Sequence, residues 1–243
     1  MDGKAFCQSE NVLKQLGKDV SAAYTATFDI NPRAQYLGMM FDFTVFGECR
    51  VGMPKLIADV LLQLNVRGGS KHPHDSMLYV VSDDSPALDA KGGKLFYSVV
   101  YKLYYCSIRT EYRIQVAVNF LTSRVTKSTE EDWAKLMKVL KFLNCTKRSE
   151  FLLKPDDGPM QSEWYIDVGH AIHMDMRSQT GSVGKLNGAT IYVRTTKQKS
   201  PTKSSAETEQ KGVSDEAGVP LWVNEFLRSL GLVPECVVIR EDI

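Results

Sequence analysis

Gly181–Thr196 reads GSVGKLNGATIYVRTT, two β-prone runs joined at Asn187-Gly188. That dipeptide turns a tight hairpin, because both of its positions tolerate the positive φ that a two-residue loop demands. Upstream, WYIDVGHAI (Trp164–Ile172) is a further strand, so three strands follow one another. Downstream, KSSAETEQ (Lys203–Gln210) opens a helix, which reads as continuing through LWVNEFLRSLG to Gly231. ECVVIRED (235–242) is a last short apolar strand. The pattern predicts a three-stranded antiparallel sheet, a helix from near Ser204, and a fourth strand parallel to the first. KPDDGPMQSE (Lys154–Glu163), with two prolines and a glycine, reads as the boundary before this unit.

The first part has a different grammar. Ser9 caps a short helix carrying Val12, Leu13 and Leu16, with Gly17 as its stop. QYLGMMFDFTVFGECRVGM (Gln35–Met53) reads as a β-hairpin, with Phe41, Phe43 and Val45 alternating against Asp42 and Thr44, and FGE as the turn. Pro54 opens a helix with Leu56, Ile57, Val60, Leu61 and Leu64 at helical spacing. MLYVV (Met77–Val81) is apolar and β-prone, between the polar connectors RGGSKHPHDS and SDDSPALDAKGG. Three helices follow. KLFYSVVYKLYYCSI is apolar nearly all round and so central, and YRIQVAVNFLTSRV is amphipathic. STEEDWAKLMKVLKFLN carries a capping box from Ser128 to Glu131. The fold class is α+β or α/β: a hairpin and helical region, then a mixed sheet with one long helix.

A formal net charge of +1 over 243 residues gives no global field that would gather nucleic acid, so any such binding must come from local patches. Lys135, Lys138 and Lys141 form one basic row, and Lys197, Lys199 and Lys203 a second group. On an amphipathic helix such a row is ordinarily the solvated side. Cys7, Cys49, Cys106, Cys145 and Cys236 stand singly, the pattern of reduced thiols in an intracellular protein of the cytoplasm or nucleus. No signal-peptide pattern or membrane-length apolar run is present. His72 and His74, split by a proline with no cysteine nearby, read as surface loop rather than metal ligands.

IDVGHAIHMDMRSQTG, KQKSPTKSSAETEQKGVSD and LWVNEFL resemble the ribonuclease H region of copia-type retrotransposon polyproteins. YLGMMFDFTVFGECRVGMP resembles the segment following the polymerase site in those polyproteins, and the run Phe96–Thr146 their thumb and connecting helices. The match is collinear over nearly the whole chain. It implies a transposable-element Pol fragment. Residues 1–158 would be the tail of the reverse transcriptase (palm end, thumb and connection), and 159–243 a truncated ribonuclease H-like domain. The family's polymerase turn is Tyr-x-Asp-Asp. YVVSDDSP (Tyr79–Pro86) imitates it but lies downstream of the place where the family has it, and such a run is also what a turn looks like. The resemblance therefore implies no polymerase activity. The missing remainder of the polyprotein is one implied partner.

For the ribonuclease H chemistry the resemblance implies two divalent cations, Mg2+ or Mn2+, held by converging carboxylates, with an RNA–DNA hybrid as partner. It assigns catalytic and metal-binding roles to Asp167, Glu209 and Asp242. Alternation sets Asp167 on the face opposite Trp164, Ile166 and Val168. Glu207 and Glu209 lie roughly 200° apart around a helix, so only one can face the strand. Glu207 is then the first-turn glutamate suited to the helix dipole. Gln210, Ala206, Pro220, Gly212 and Gly218 depart from the family pattern and imply an inactive copy. Two other readings stand beside it: a hybrid endonuclease that retains activity, and a non-enzymatic nucleic-acid-binding remnant using the six lysines.

Overall fold

The computed structural model describes residues 5, 9–26, 28, 30–146, 150–232, 234 and 236–241. Asp242 lies outside the described residues. The protein is α+β, with two four-stranded sheets and seven α-helices among the described residues.

The first helix, α1 (Glu10–Ala23), runs straight through Gly17. Gly17 is buried under the ring of Phe28, where a Cβ would lie 2.4 Å from Cδ1. It is a contact point rather than the expected stop. The expected single hairpin is a meander: β1 (Arg33–Tyr36), β2 (Met39–Asp42) and β3 (Cys49–Gly52). FGE turns β2 into β3 as expected, with Gly47 at a φ of 77° and the Glu48 amide on the Val45 carbonyl, and Leu37-Gly38, with φ of 50° and 77°, makes a further tight turn between β1 and β2. β2 stops at Asp42 because that carboxylate accepts both the amide and the hydroxyl of Thr44, which closes a local turn. A fourth strand, β4 (Phe151–Leu153), pairs antiparallel with β3.

Helix α2 (Pro54–Gln63) buries Ile57, Val60 and Leu61 as its spacing requires. MLYVV is not a strand. The amide of Met77 bonds the Asp75 carboxylate, and the amides of Leu78 and Val80 bond the carbonyls of Asp75 and Met77. These successive turns drop Leu78 into the core. α3 (Ala90–Ser107), α4 (Gln115–Thr122) and α5 (Glu130–Thr146) are the three expected helices. Phe96, Val99, Val100 and Leu103 of α3 are fully buried with Val118, Leu121, Leu136 and Leu140. Tyr97 and Tyr101 give α3 one exposed face, so it is not enclosed all round. The capping box of α5 sits one residue later than expected. Thr129 and Asp132 bond reciprocally, and Arg124 closes on the Asp132 carboxylate.

The second sheet has the predicted order of elements. β5 (Gln161–Gly169), β6 (Gln179–Leu186) and β7 (Ala189–Lys197) are antiparallel, turning at Asn187-Gly188 with φ of 45° and 74°. β8 (Cys236–Glu241) pairs parallel with β5, giving the order β7-β6-β5-β8. Between β7 and β8 the expected single helix is two, α6 (Ser205–Glu216) and α7 (Gly218–Ser229). The break at Ala217 places Pro220 in the first turn of α7, where a missing N–H costs little. Trp164, fully buried, lies against Gly184 of the next strand and donates from its indole N–H to the Ser162 hydroxyl. The two sheets are linked through α4. Gln115 and Asn119 donate side-chain N–H groups to the carbonyls of Val193 and Thr195 on β7.

Candidate metal and nucleic-acid site

The inward face of β5 carries Ser162, Trp164 and Ile166, all buried, with half-buried Val168 beyond them. Helix α6 covers this face. A Cβ at Gly212 would lie 2.5 Å from Val168 and 3.4 Å from Thr180 of β6. Thr208, Gly212 and Glu216 are the buried line of the helix. Strand alternation then sends Asp167 to the other face, where it is exposed. The expectation that Asp167 and the 203–230 helix share one side of the sheet is overturned, and with it the approach of Asp167 to Glu209. Glu209 is half-buried and accepts a hydrogen bond from the Ser205 hydroxyl at 3.2 Å.

Glu207 fills the capping place. Its amide donates to Ser204 Oγ at 3.2 Å, and its carboxylate accepts from the Lys203 amide at 2.8 Å. Among the described residues no three His, Cys, Asp or Glu side chains gather as a metal site would require. A hard divalent cation needs several oxygens converging on one point. Asp167 and Glu209, divided by the sheet, do not fit that need.

The motif words instead hold the sheet and helix together. Thr208 is fully buried and bonds the Ser204 carbonyl, the Thr202 hydroxyl and Nδ1 of His170. Its single proton goes to the Ser204 carbonyl, so the histidine N–H and the Thr202 hydroxyl donate to it. Gln198 donates to Thr180 Oγ1 and to the Thr208 carbonyl, tying the end of β7 to α6. Lys197 pairs with Asp175 at 2.7 Å, locking the DMRS turn to β7. His173, in that turn, bonds Gln179, packs on Tyr79 at 4.4 Å, and has its pKa lowered chiefly by burial.

An ion pair on a buried carboxylate was not foreseen. Glu216, 2% exposed, accepts from Tyr192 at 3.2 Å and pairs with Arg194 at 3.4 Å. Burial, and then the Glu216 charge, push the Tyr192 hydroxyl above its ordinary pKa. The sequence signal was a glutamate on the same helical line as Thr208 and Gly212.

The lysines divide. Lys135 bonds the Val80 carbonyl and pairs with Glu131, Lys138 pairs with Asp75, and Lys197 with Asp175. Lys141, Lys199 and Lys203 are exposed without an ion pair to any described residue. SDDSP is structural: Ser82 donates its amide to Glu131, and Ser85 Oγ accepts from the Glu131 amide at the start of α5. His72 and His74 lie in a loop, the latter beside the Asp75 carbonyl. No helix is long and apolar enough to cross a membrane among the described residues.

Comparison with family models, with curated proteins and with solved structures gives no match.

Proposed function

We propose that this chain is the reverse transcriptase–ribonuclease H junction of a copia-type retrotransposon polyprotein, with a ribonuclease H-like half that is a scaffold rather than a nuclease. The collinear sequence words and the β7-β6-β5-β8 order, with β8 parallel to β5 after a helical crossover, support the family reading. The observation that carries the non-catalytic reading is the separation of Asp167 and Glu209 by the sheet. Two-metal hydrolysis needs carboxylates that bridge cations about 4 Å apart. A carboxylate on each side of a sheet cannot do this, so no step is derived through Mg2+ or Mn2+. Contact with an RNA–DNA hybrid would fall to Lys141, Lys199 and Lys203, the three of the six lysines without an ion pair to any described residue.

The test is cleavage of the RNA strand of an RNA–DNA hybrid in magnesium or manganese. The native chain, Asp167→Asn and Glu209→Gln are compared. The expected result is no cleavage by the native chain above that of either variant. Strong cleavage abolished by both substitutions would establish the nuclease and overturn the scaffold reading.

A further inference from the structure

Ser-Pro occurs twice in the chain, at Ser85-Pro86 and Ser200-Pro201. The fold uses the two serines differently. Ser85 is half-buried, follows Asp83 and Asp84, and accepts the Glu131 amide at the start of α5. Ser200 is exposed in the loop between β7 and α6, at the far edge of the sheet from β8. Its surroundings are cationic. Lys211 of α6 reaches back to the Ser200 hydroxyl and, at 3.4 Å, to its carbonyl. Lys199 and Lys203 flank it in the chain, both exposed and without an ion pair to any described residue. The carboxylates nearby are engaged: Asp175 with Lys197, Glu207 on the Lys203 amide, and Glu209 on the Ser205 hydroxyl.

We propose that Ser200 is a phosphorylation site for a proline-directed serine kinase, and that Lys211 holds the phosphate, which cancels the cationic patch of this loop. Such a kinase reads an extended segment. It selects proline after the serine, where the missing N–H leaves no amide unsatisfied in an apolar cleft, and a base three places on, here Lys203. Residues 199–203 form neither helix nor strand, so the segment can lie extended. Ser85 has Leu88 at that third place and a capping bond to keep. In the transfer, the Ser200 oxygen bonds the γ-phosphorus of a nucleoside triphosphate as that phosphorus parts from the β–γ bridging oxygen. The hydroxyl proton passes to the kinase's base, and a nucleoside diphosphate leaves. The phosphoserine carries about two negative charges and three acceptor oxygens. Lys211 already lies on the oxygen that is modified, so its ammonium meets the phosphate without rearrangement. Two negative charges between Lys199 and Lys203 offset both. That this weakens contact with an RNA–DNA hybrid rests on the function proposed above; the modification itself does not.

The purified chain is incubated with a recombinant kinase of the cyclin-dependent class and magnesium ATP, and the phosphate is located by mass spectrometry. Label is expected at Ser200 and not at Ser85. Ser200→Ala should abolish it, and Pro201→Ala should lose most of it. By phosphorus NMR the phosphate should titrate at lower pH in the folded chain than in a phosphopeptide of residues 196–206, and Lys211→Gln should bring it back to the peptide value. Affinity for a fluorescent RNA–DNA hybrid should fall about tenfold on phosphorylation, with a salt slope smaller by about 2. Three results would each overturn the proposal: no label at Ser200 from a kinase active on its reference substrate, equal label at Ser85, and a phosphate that titrates in the folded chain as in the peptide. Label and titration as expected, with the hybrid bound alike by both forms, would uphold the site and sink the hybrid-contact reading instead.

Discussion

Leu37 is a β-prone apolar side chain held at a φ of 50° in a two-residue hairpin, and it is 52% exposed. Its carbonyl accepts from the Tyr105 hydroxyl at 2.8 Å. Leu37→Asn restores the residue pair this turn favours and keeps that carbonyl. It should raise stability by about 0.5–1 kcal/mol in urea unfolding. Gly184 is the opposite case. A Cβ there would meet the Trp164 ring at 2.5 Å, and that ring has no free space to retreat into. Gly184→Ala should cost about 1–3 kcal/mol as overpacking, in spite of the gain in strand propensity. Thiol reactivity separates by burial. Cys106 is fully buried and its pKa is pushed up to about 12, mainly by desolvation, whereas Cys145 and Cys236 are exposed. At pH 8 an aromatic disulfide reagent should modify the latter pair quickly and Cys106 only on unfolding.

Among the elements, α5 depends most on a single side chain. Asp132 is 1% exposed, caps Thr129 and neutralises Arg124, which is itself nearly buried. Asp132→Ala strands that guanidinium and removes the cap together. The expected loss is about 3–5 kcal/mol, measured by denaturant unfolding. Asp132→Asn, which can still accept from Thr129, should lose less. The helix itself was plain from STEEDWAKLMKVLKFLN, whose caps and apolar spacing act within one turn of chain. The one-residue shift of its box was not, because Ser128, Thr129, Glu131 and Asp132 all offer the same chemistry. Arg124 and the Ser82–Ser85 turn, brought up by tertiary packing, decide which pair is used.

On the scale of the whole molecule, the two sheets meet through α4 on the edge of β7 and through Tyr79 against His173. Burial favours the neutral imidazole of His173, so its folded pKa lies below that of a free histidine. Below pH about 6.5 the unfolded chain takes up a proton that the folded one resists, so stability falls as pH falls. The urea midpoint should drop between pH 7 and pH 5.5, and His173→Asn should flatten that slope. An unchanged slope in the variant would place the pH sensitivity elsewhere.

The sequence by itself determined the strands of the second sheet, the Asn187-Gly188 turn, the parallel β8 and the capping role of Glu207. Each is written in local terms: alternation, turn residues, a serine ahead of a glutamate. Alternation also divided Asp167 from Trp164, Ile166 and Val168. It could not say which of those two faces α6 would cover, because the right-handed rule for a crossover fixes the helix's side only once strand order and register are known. Packing decided it. Gly212 admits Val168, Gly184 admits Trp164, and Glu216 finds Arg194 and Tyr192, all on the face that excludes Asp167. The side on which a helix lands is a property of the assembled core, where long-range burial outweighs anything Asp167 or Glu209 could specify alone.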